Sequence, residues 1–379
     1  MICSRCIYSD LFPGINFDDK GVCNYCHQID KLCDDYGTKS EKGKKELAQI
    51  INQIKHKQKK EKYDCIIGVS GGTDSSYLLM KLCDWGLRPL AVHYDNTWNS
   101  AIASQNISKI TKAFNIDLYT HVINNEEHDG IKLAYLKAGV AEFDTDTDLA
   151  LSQVMREAAA KFNVPYIIEG HSFLTEGISP IHGNYFDGAY VRDIVDRYGK
   201  VSIKTYPLMT FWQFLKWIII YRQKFIRPFW YINYSKSEAQ LELIRRTGWL
   251  NYGGHHLENR ASAFGHQVWQ PRKFGVDWRI LSIAARARNG QLSRQEGINE
   301  YNSQITNTEQ LEQYVRKRLR LSNNQYKEFF LKPRRTWKDF KTYKKRFEFL
   351  RPLFFIFAKA KLIPFSFYLK YCFPLKTSD

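Results

Sequence analysis

The stretch Tyr63-Asp64-Cys65-Ile66-Ile67-Gly68-Val69-Ser70-Gly71-Gly72-Thr73-Asp74-Ser75-Ser76-Tyr77 carries three signals in succession. Residues 64–69 form a short apolar run with β-branched members, which suits a strand buried on both faces. Gly71 and Gly72 then mark a turn where backbone can approach a ligand closely. From Tyr77 to Trp85 the pattern is helical. A glycine turn between a buried strand and a helix aims backbone N–H groups and the positive helix end at an anion, and the serine hydroxyls add donors. No Gly-Lys-Ser/Thr follows, so the loop is not a Walker A motif. The competing reading is an ordinary capped turn.

Working outward, the same alternation recurs. Residues 90–94, 118–123 and 164–168 read as further strands, with helices over 101–114 and 148–162 between them. Strands alternating with helices predict an α/β domain with a parallel sheet covered on both faces. Ligands bind such sheets at the carboxyl ends of the strands, so the loops after Val69, Tyr94 and Ile168 are expected to line one site. Asp95, in His93-Tyr94-Asp95-Asn96, then stands beside the ligand of that site, or else caps the following segment. Gly170 and His171, in Glu169-Gly170-His171-Ser172, border the same place. There His171 binds phosphate, moves a proton or is merely structural. The acidic run Asp144, Asp146 and Asp148 reads as a solvated helix start, with contact to a divalent cation as the alternative.

Ahead of this domain lie two C-x-x-C pairs, Cys3/Cys6 and Cys23/Cys26, separated by sixteen residues. Two such knuckles wrap one tetrahedral Zn²⁺ with four thiolates and leave no open coordination site, so the ion is structural. An iron–sulfur cluster or redox pair is the alternative. Cys33, Cys65, Cys83 and Cys372 are isolated. The expected organisation is a zinc ribbon at 1–35, a linker helix at 36–62, the α/β domain at 63–205, and a mainly helical substrate-binding and assembly region at 206–379.

Composition bounds the rest. The 379 residues are 44% hydrophobic, enough for a full core, which excludes wholesale disorder. A formal net charge of +17 implies an anionic partner or a solvated basic surface. No secretory signal is visible and no apolar run is long enough to span a membrane, so a cytoplasmic location is expected. Residues 208–234 and 350–373 mix aromatic and basic side chains. They read either as segments touching the inner face of the membrane or as buried helices whose cations reach solvent. Finally, residues 249–279 combine Gly, His, Arg, Asn and Glu with aromatic residues, poor core material and good ligand material. His255, His256, Glu258, Asn259, Arg260 and Arg279 are the candidate substrate-binding residues, with Arg272 and Lys273 beside them as anion-gripping cations.

Ser70-Gly71-Gly72-Thr73-Asp74-Ser75-Ser76 resembles the PP-loop of enzymes that split ATP into AMP and pyrophosphate. The resemblance implies ATP and Mg²⁺ as cofactors, with Ser70, Gly71, Gly72, Asp74, Ser75, Ser76, Asp95 and Gly170 around the nucleotide. With the cysteine pairs, Ile168-Glu169-Gly170-His171, Gly248-Trp249, the run Tyr252-Gly253-Gly254-His255-His256-Leu257-Glu258-Asn259-Arg260 and Lys273-Phe274-Gly275, the chain resembles the N-acetyl sugar amidotransferases of O-antigen and nonulosonate biosynthesis. Trp278 departs from that pattern, and the tail after about Phe330 carries no matching motif. The family implies adenylation of an acetamido oxygen followed by attack of ammonia, giving an acetamidino sugar. Asp74, His171 and Lys273 are the candidate catalytic residues. The implied partners are a nucleotide- or lipid-linked N-acetyl sugar and a separate glutaminase with an ammonia-conducting subunit, resembling the histidine-biosynthesis pair. Nucleic acid is not expected. A tRNA-modifying PP-loop enzyme is the principal alternative, favoured by the basic charge and the ribbon. A zinc-ribbon adaptor at a membrane surface is the non-enzymatic one.

Overall fold

The computed structural model describes residues 1–178, 185–253, 257–306 and 308–374. At its centre is a parallel sheet of five strands: β1 (Cys65–Gly68), β2 (Pro89–Asp95), β3 (Leu118–Val122), β4 (Tyr166–Ile168) and β5 (Lys224–Ile226). Their order is β3-β2-β1-β4-β5, and every neighbouring pair is parallel. Alternate residues of β1 feed two different cores. Ile66 joins Leu90, Val92, Val154 and Ile194 on one face. Cys65, Ile67 and Val69 join Leu47, Leu78, Ile107 and Leu243 on the other. This two-residue period is why the central strand reads as continuously apolar.

The α/β alternation matches the sequence expectation. The helix after β1 begins earlier than the apolar period alone indicates, at Thr73 rather than Tyr77, because polar Asp74, Ser75 and Ser76 occupy its first turn. The fifth strand comes from residues 224–226, so the sheet draws on chain beyond residue 205. Two cationic, aromatic-rich turns flank that three-residue strand and hide its periodicity.

The helix Glu41–Lys57 lays Leu47, Ile51 and Ile54 onto the second core, so the linker is a packed layer of the fold. The N-terminal cysteine module packs through Ile7, Tyr8 and Phe12 against Ile283 and Ala284 of the helix Arg279–Arg288. The C-terminal region is helical, and its last three helices form a small separate apolar cluster with the helix Phe211–Ile219.

Within the acidic run Asp148 is exposed in the first turn of the helix Thr145–Lys161, as a solvated helix start requires, but Asp144 and Asp146 are neither solvated nor an open cation site. Lys132 Nζ, fully buried, donates to Asp144 Oδ1 and Asp146 Oδ1 at 2.8 Å each and to the Phe143 carbonyl at 3.1 Å. Tyr206 Oη donates to Asp146 Oδ2 at 2.9 Å. Asp146 is wholly buried, a place a carboxylate tolerates only when paired.

Candidate active site

The strand order reverses direction at β1: its neighbours β2 and β4 lead away on opposite sides. Loops leaving β1 and β4 therefore diverge and open a crevice between them. A cleft of about 230 Å³ lies there, lined by Ser70, Gly72, Asp74 and Ser75 after β1 and by Gly170 and His171 after β4. Glu176, Lys236, Tyr252 and Glu258 complete it.

Backbone shape holds the first loop open. Gly71 has φ +77°, and a Cβ there would lie 2.1 Å from the Ala103 carbonyl oxygen. The Gly71 carbonyl accepts from Asn106 Nδ2 and Trp249 Nε1, both at 3.1 Å. Gly71 thus anchors the loop from behind without lining the cleft. Gly72 faces the cleft, where a Cβ would meet Ser70 Oγ at 3.1 Å, Tyr252 Oη at 3.3 Å and Glu258 Oε1 at 3.4 Å. The Gly72 N–H donates to Ser70 Oγ at 3.2 Å and the Thr73 N–H to Tyr252 Oη at 3.3 Å. These are first-turn amides, which a helix leaves unsatisfied by its own backbone. Rotatable hydroxyls engage them, so phosphate oxygens can take the hydroxyls' place.

Asp74 is held on two sides: Tyr234 Oη donates to Oδ1, and Lys236 Nζ donates to Oδ2 at 3.1 Å. Burial lowers the Lys236 pKa, but attraction to Asp74, Tyr252 and Glu176 outweighs it, and the net shift is upward. Lys236 is therefore a cation at neutral pH. With Asp74, Glu176 and Glu258 around it, the lining carries more acidic than basic groups. A polyphosphate needs further positive charge to settle there; the three carboxylates do not converge closely enough to cage an ion alone, so Mg²⁺ would need phosphate oxygens as well as one or two of them.

His171 Nδ1 accepts from Trp230 Nε1 at 3.1 Å, which places the ring proton on Nε2, 3.6 Å from Glu176 Oε2. Burial, then repulsion by Arg227, pushes its pKa down to about 4. The ring's outer edge is 38% exposed to the cleft, so solvent softens that depression without changing its direction. The ring is neutral at pH 7: an acceptor at Nδ1 and a donor at Nε2. The unfolded chain takes up this proton near pH 6.5 and the folded chain only near 4. Stability from the neutral ring is thus intact above 6.5 and is lost as pH falls towards 4. An NMR titration of the His171 ring is expected to show a midpoint well below that of an exposed histidine; a midpoint near 6.5 contradicts this reading.

The remaining candidates divide by position. Asp95 Oδ1 accepts the Thr97 N–H at 2.8 Å, holding the turn after β2. Asn259 Nδ2 donates to Asn96 Oδ1 at 2.9 Å and Asn99 Oδ1 at 3.1 Å, and Arg260 Nη1 donates to the Asn99 carbonyl at 2.8 Å. These residues stitch the 258–260 segment to the β2 loop and so aim Glu258 at the cleft. Ser76 is buried beneath the loop and lines nothing. His255 and His256 lie outside the described residues.

Three candidates lie elsewhere. Lys273 Nζ, on the π-helical stretch Gly265–Phe274, donates to the carbonyls of Phe329, Phe330 and Lys332 at 2.9, 3.2 and 2.6 Å. It ties off the C-terminal end of the helix Asn323–Leu331, where a cation is favourable, and is no catalytic group. Arg279 forks onto Asp277 at 2.7–3.1 Å and onto the carbonyls of Tyr301 and Ser303. Arg272 pairs with Glu312 at 2.5 Å. Lys236 and Glu176 were missed by sequence reasoning, because each is a lone charged residue without a local motif.

The four-cysteine module is a second built site. All four residues are fully buried, and their Sγ atoms lie within 4.8 Å of one another. Sγ–Sγ distances of 3.6–3.8 Å link Cys3–Cys26, Cys6–Cys23 and Cys23–Cys26. A tetrahedral ion with metal–sulfur bonds of about 2.3 Å separates its sulfurs by about 3.8 Å, so a single ion fits. A four-iron cube would hold them farther apart. Arg288 Nε donates to Cys26 Sγ at 3.3 Å, offsetting thiolate charge from outside.

Residues 258–353 match the family model "LPS biosynthesis protein WbpG-like, C-terminal domain", which reaches past Phe330 into the tail. The uncharacterized protein MJ1599 of Methanocaldococcus jannaschii is 31% identical over 173 residues, 45% of this chain and 59% of its own length. The chain thus spans somewhat more than half the length of that relative. Among solved structures, NMN synthetase from Francisella tularensis is similar at TM-score 0.35 and 13% identity, over 74% of this chain and 95% of that one. U34-tRNA thiolase NcsA from Methanococcus maripaludis, with its 4Fe–4S cluster, is similar at TM-score 0.31 and 11% identity, over 81% and 91% of the two chains.

Proposed function

We propose that this protein is an ATP-dependent, AMP-forming amidotransferase that converts the acetamido group of a carrier-linked N-acetyl sugar into an acetamidino group, with ammonia as nitrogen donor. One observation carries the reading: a Ser-Gly-Gly loop opens onto a cleft at the strand crossover, with Lys236 and two engaged helix-start amides facing inward. The resemblance of the 258–353 segment to a lipopolysaccharide biosynthesis domain supports a sugar as the acceptor.

The reaction needs an electrophile made from an unreactive amide. The acetamido oxygen attacks the α-phosphorus of ATP, pyrophosphate leaves, the amide N–H proton passes to solvent, and a neutral O-adenylyl imidate forms. Ammonia adds to the imidate carbon, AMP departs, and the nitrogen's surplus proton stays on the amidinium product. The loop amides and Lys236 bind the departing pyrophosphate, where charge accumulates. One or two of the cleft carboxylates, together with phosphate oxygens of the nucleotide, would hold Mg²⁺, which when bound neutralises phosphate charge. His171, neutral and donating from Nε2, orients the reacting groups without adding charge. The four cysteines would hold Zn²⁺ in the N-terminal module, outside the lining of this cleft. Ammonia reaches the cleft from a separate glutaminase.

The chain incubated with ATP, Mg²⁺, ammonium and a panel of nucleotide- and lipid-linked N-acetyl sugars is expected to release AMP and yield a product with NH in place of oxygen. Glutamine alone is expected to support no turnover. Lys236→Met is expected to lower kcat by about 10²–10³-fold, the usual loss for a transition-state donor. AMP release that requires tRNA and ignores sugar would sink the proposal. The tRNA alternative rests on the net charge and the ribbon; against its thiolating form, Cys33, Cys65, Cys83 and Cys372 make no C-x-x-C pair, and Cys65 is buried within β1.

A further inference from the structure

The helix Phe211–Ile219 and the helix Arg351–Lys359 expose large apolar side chains to solvent, beside the exposed cations Lys216, Arg351 and Lys359. In the second, Phe354, Phe357 and Ala358 are buried, while Phe355 and Ile356 look outward, Ile356 60% exposed. In the first, Trp217 and Ile218 are buried, and Trp212 is 71% exposed. A surface helix ordinarily turns polar residues outward; one that also exposes several large apolar side chains expects cover for them. Phe349, 84% exposed, joins Trp212 at a shallow apolar groove whose edge carries Lys345 and Arg346.

Charge identifies the cover. Residues 208–228 contain no acidic residue, and residues 341–374 contain a single one, Glu348, against eight lysines and arginines. Glu348 lies 3.7 Å from Lys344, so it lends the patch no free negative charge. The cations collar the aromatic rings: Lys359 stands 5.5 Å from the Phe355 ring centre and Arg351 5.3 Å from that of Phe373. A protein partner presents fixed pockets and mixed charge. Here apolar side chains from several short elements of one cluster are exposed beside cations of a single sign, which matches a fluid, continuously anionic plane. Among the described residues no helix is long and apolar enough to cross a membrane, so contact is in the interface plane.

We propose that this face docks on an anionic phospholipid bilayer, with Trp212, Phe349, Ile356 and Phe365 entering the headgroup layer and Lys345, Arg346, Arg351 and Lys359 meeting its charge. The proposal is independent of the reaction assigned above. The test is co-sedimentation of the full chain with vesicles of phosphatidylglycerol and phosphatidylcholine, compared with pure phosphatidylcholine. Binding is expected to the anionic vesicles and to weaken as salt rises. The pair Lys345→Glu/Arg346→Glu is expected to reduce partition by tenfold or more, on the order of fivefold per charge. The pair Trp212→Ser/Phe349→Ser is expected to reduce it comparably without lowering the melting temperature, since both side chains are exposed. Absence of anionic-vesicle binding, equal binding to neutral vesicles, or binding that both pairs leave unchanged overturns the proposal. So does a dimer that the Trp212→Ser/Phe349→Ser pair dissociates in the absence of vesicle binding, which would make a second copy the occupant.

Discussion

Replacing Gly71 by alanine is expected to cripple the protein, whereas the same change at Gly72 is expected to spare its stability and weaken its grip on nucleotide. The two neighbours differ in what surrounds them. At Gly71 the backbone is left-handed, which costs an alanine about 1–2 kcal/mol. The new Cβ would also stand 2.1 Å from the Ala103 carbonyl, a backbone atom of the helix Ala101–Ala113 that has no rotamer to move away by. Overpacking of this kind costs about 1–3 kcal/mol more. Relief requires the loop to shift, and a displacement of about 1 Å at reacting groups can lower turnover by about 10²-fold. At Gly72, φ is −72°, and the contacts are the ends of Ser70, Tyr252 and Glu258 side chains. These can yield by a few tenths of an ångström, but the methyl then occupies the cleft. Urea midpoints and nucleotide binding measured on both variants separate the cases. Gly71→Ala with unchanged stability and unchanged AMP formation would show that the loop is not pinned from behind.

Removing the metal is expected to release the N-terminal module while the α/β domain stays folded. The module's own core is a few side chains, Ile7, Tyr8, Phe12 and Tyr25, resting on Ile283 and Ala284. So small a core does not fold alone. Metal binding in comparable small modules is worth about 10–16 kcal/mol of apparent folding free energy, far more than that core supplies. Cys23→Ser removes a ligand whose sulfur lies 3.7 Å from Cys6 Sγ and 3.6 Å from Cys26 Sγ. The native chain is expected to hold close to one zinc ion per molecule, and Cys23→Ser far less. Limited proteolysis of the variant is expected to cut within residues 1–31 and leave the sheet intact. Arg294 Nε, which donates to the Cys3 carbonyl at 2.8 Å, would lose that partner, so loosening is expected to reach the helix Arg294–Asn302. Visible absorbance from iron and sulfide, or full protease resistance of a metal-free chain, would contradict the assignment.

Much of this was legible beforehand because it is local. The β1 run, the glycine turn and the cysteine pairs each place their residues within a few positions of one another, and short-range geometry follows from spacing. Motif reading went astray where it relied on residue type alone. Lys273 and Arg279 lie in a segment rich in glycine and charge, yet their cations close the ends of helices and turns instead of facing a ligand. Asp144 and Asp146 looked solvated because their partner, Lys132, comes from another helix.

The sequence by itself determined the parallel α/β core, the turn that opens on its carboxyl edge and the four-thiolate cage, since each is dictated by periodicity or by ligands close in the chain. Only the tertiary structure decided which cation stands over Asp74, which carboxylates share its cleft and where β5 completes the sheet. Lys236 reaches Asp74 across a sequence separation of 162 residues, and Tyr252 reaches Thr73 across 179. Contacts that distant are set by how the helix Lys236–Thr247 packs on the helix Thr73–Asp84, through Glu242 with Lys81 and Arg246 with Asp84. That packing depends on shape and charge complementarity between whole elements, which no local pattern encodes.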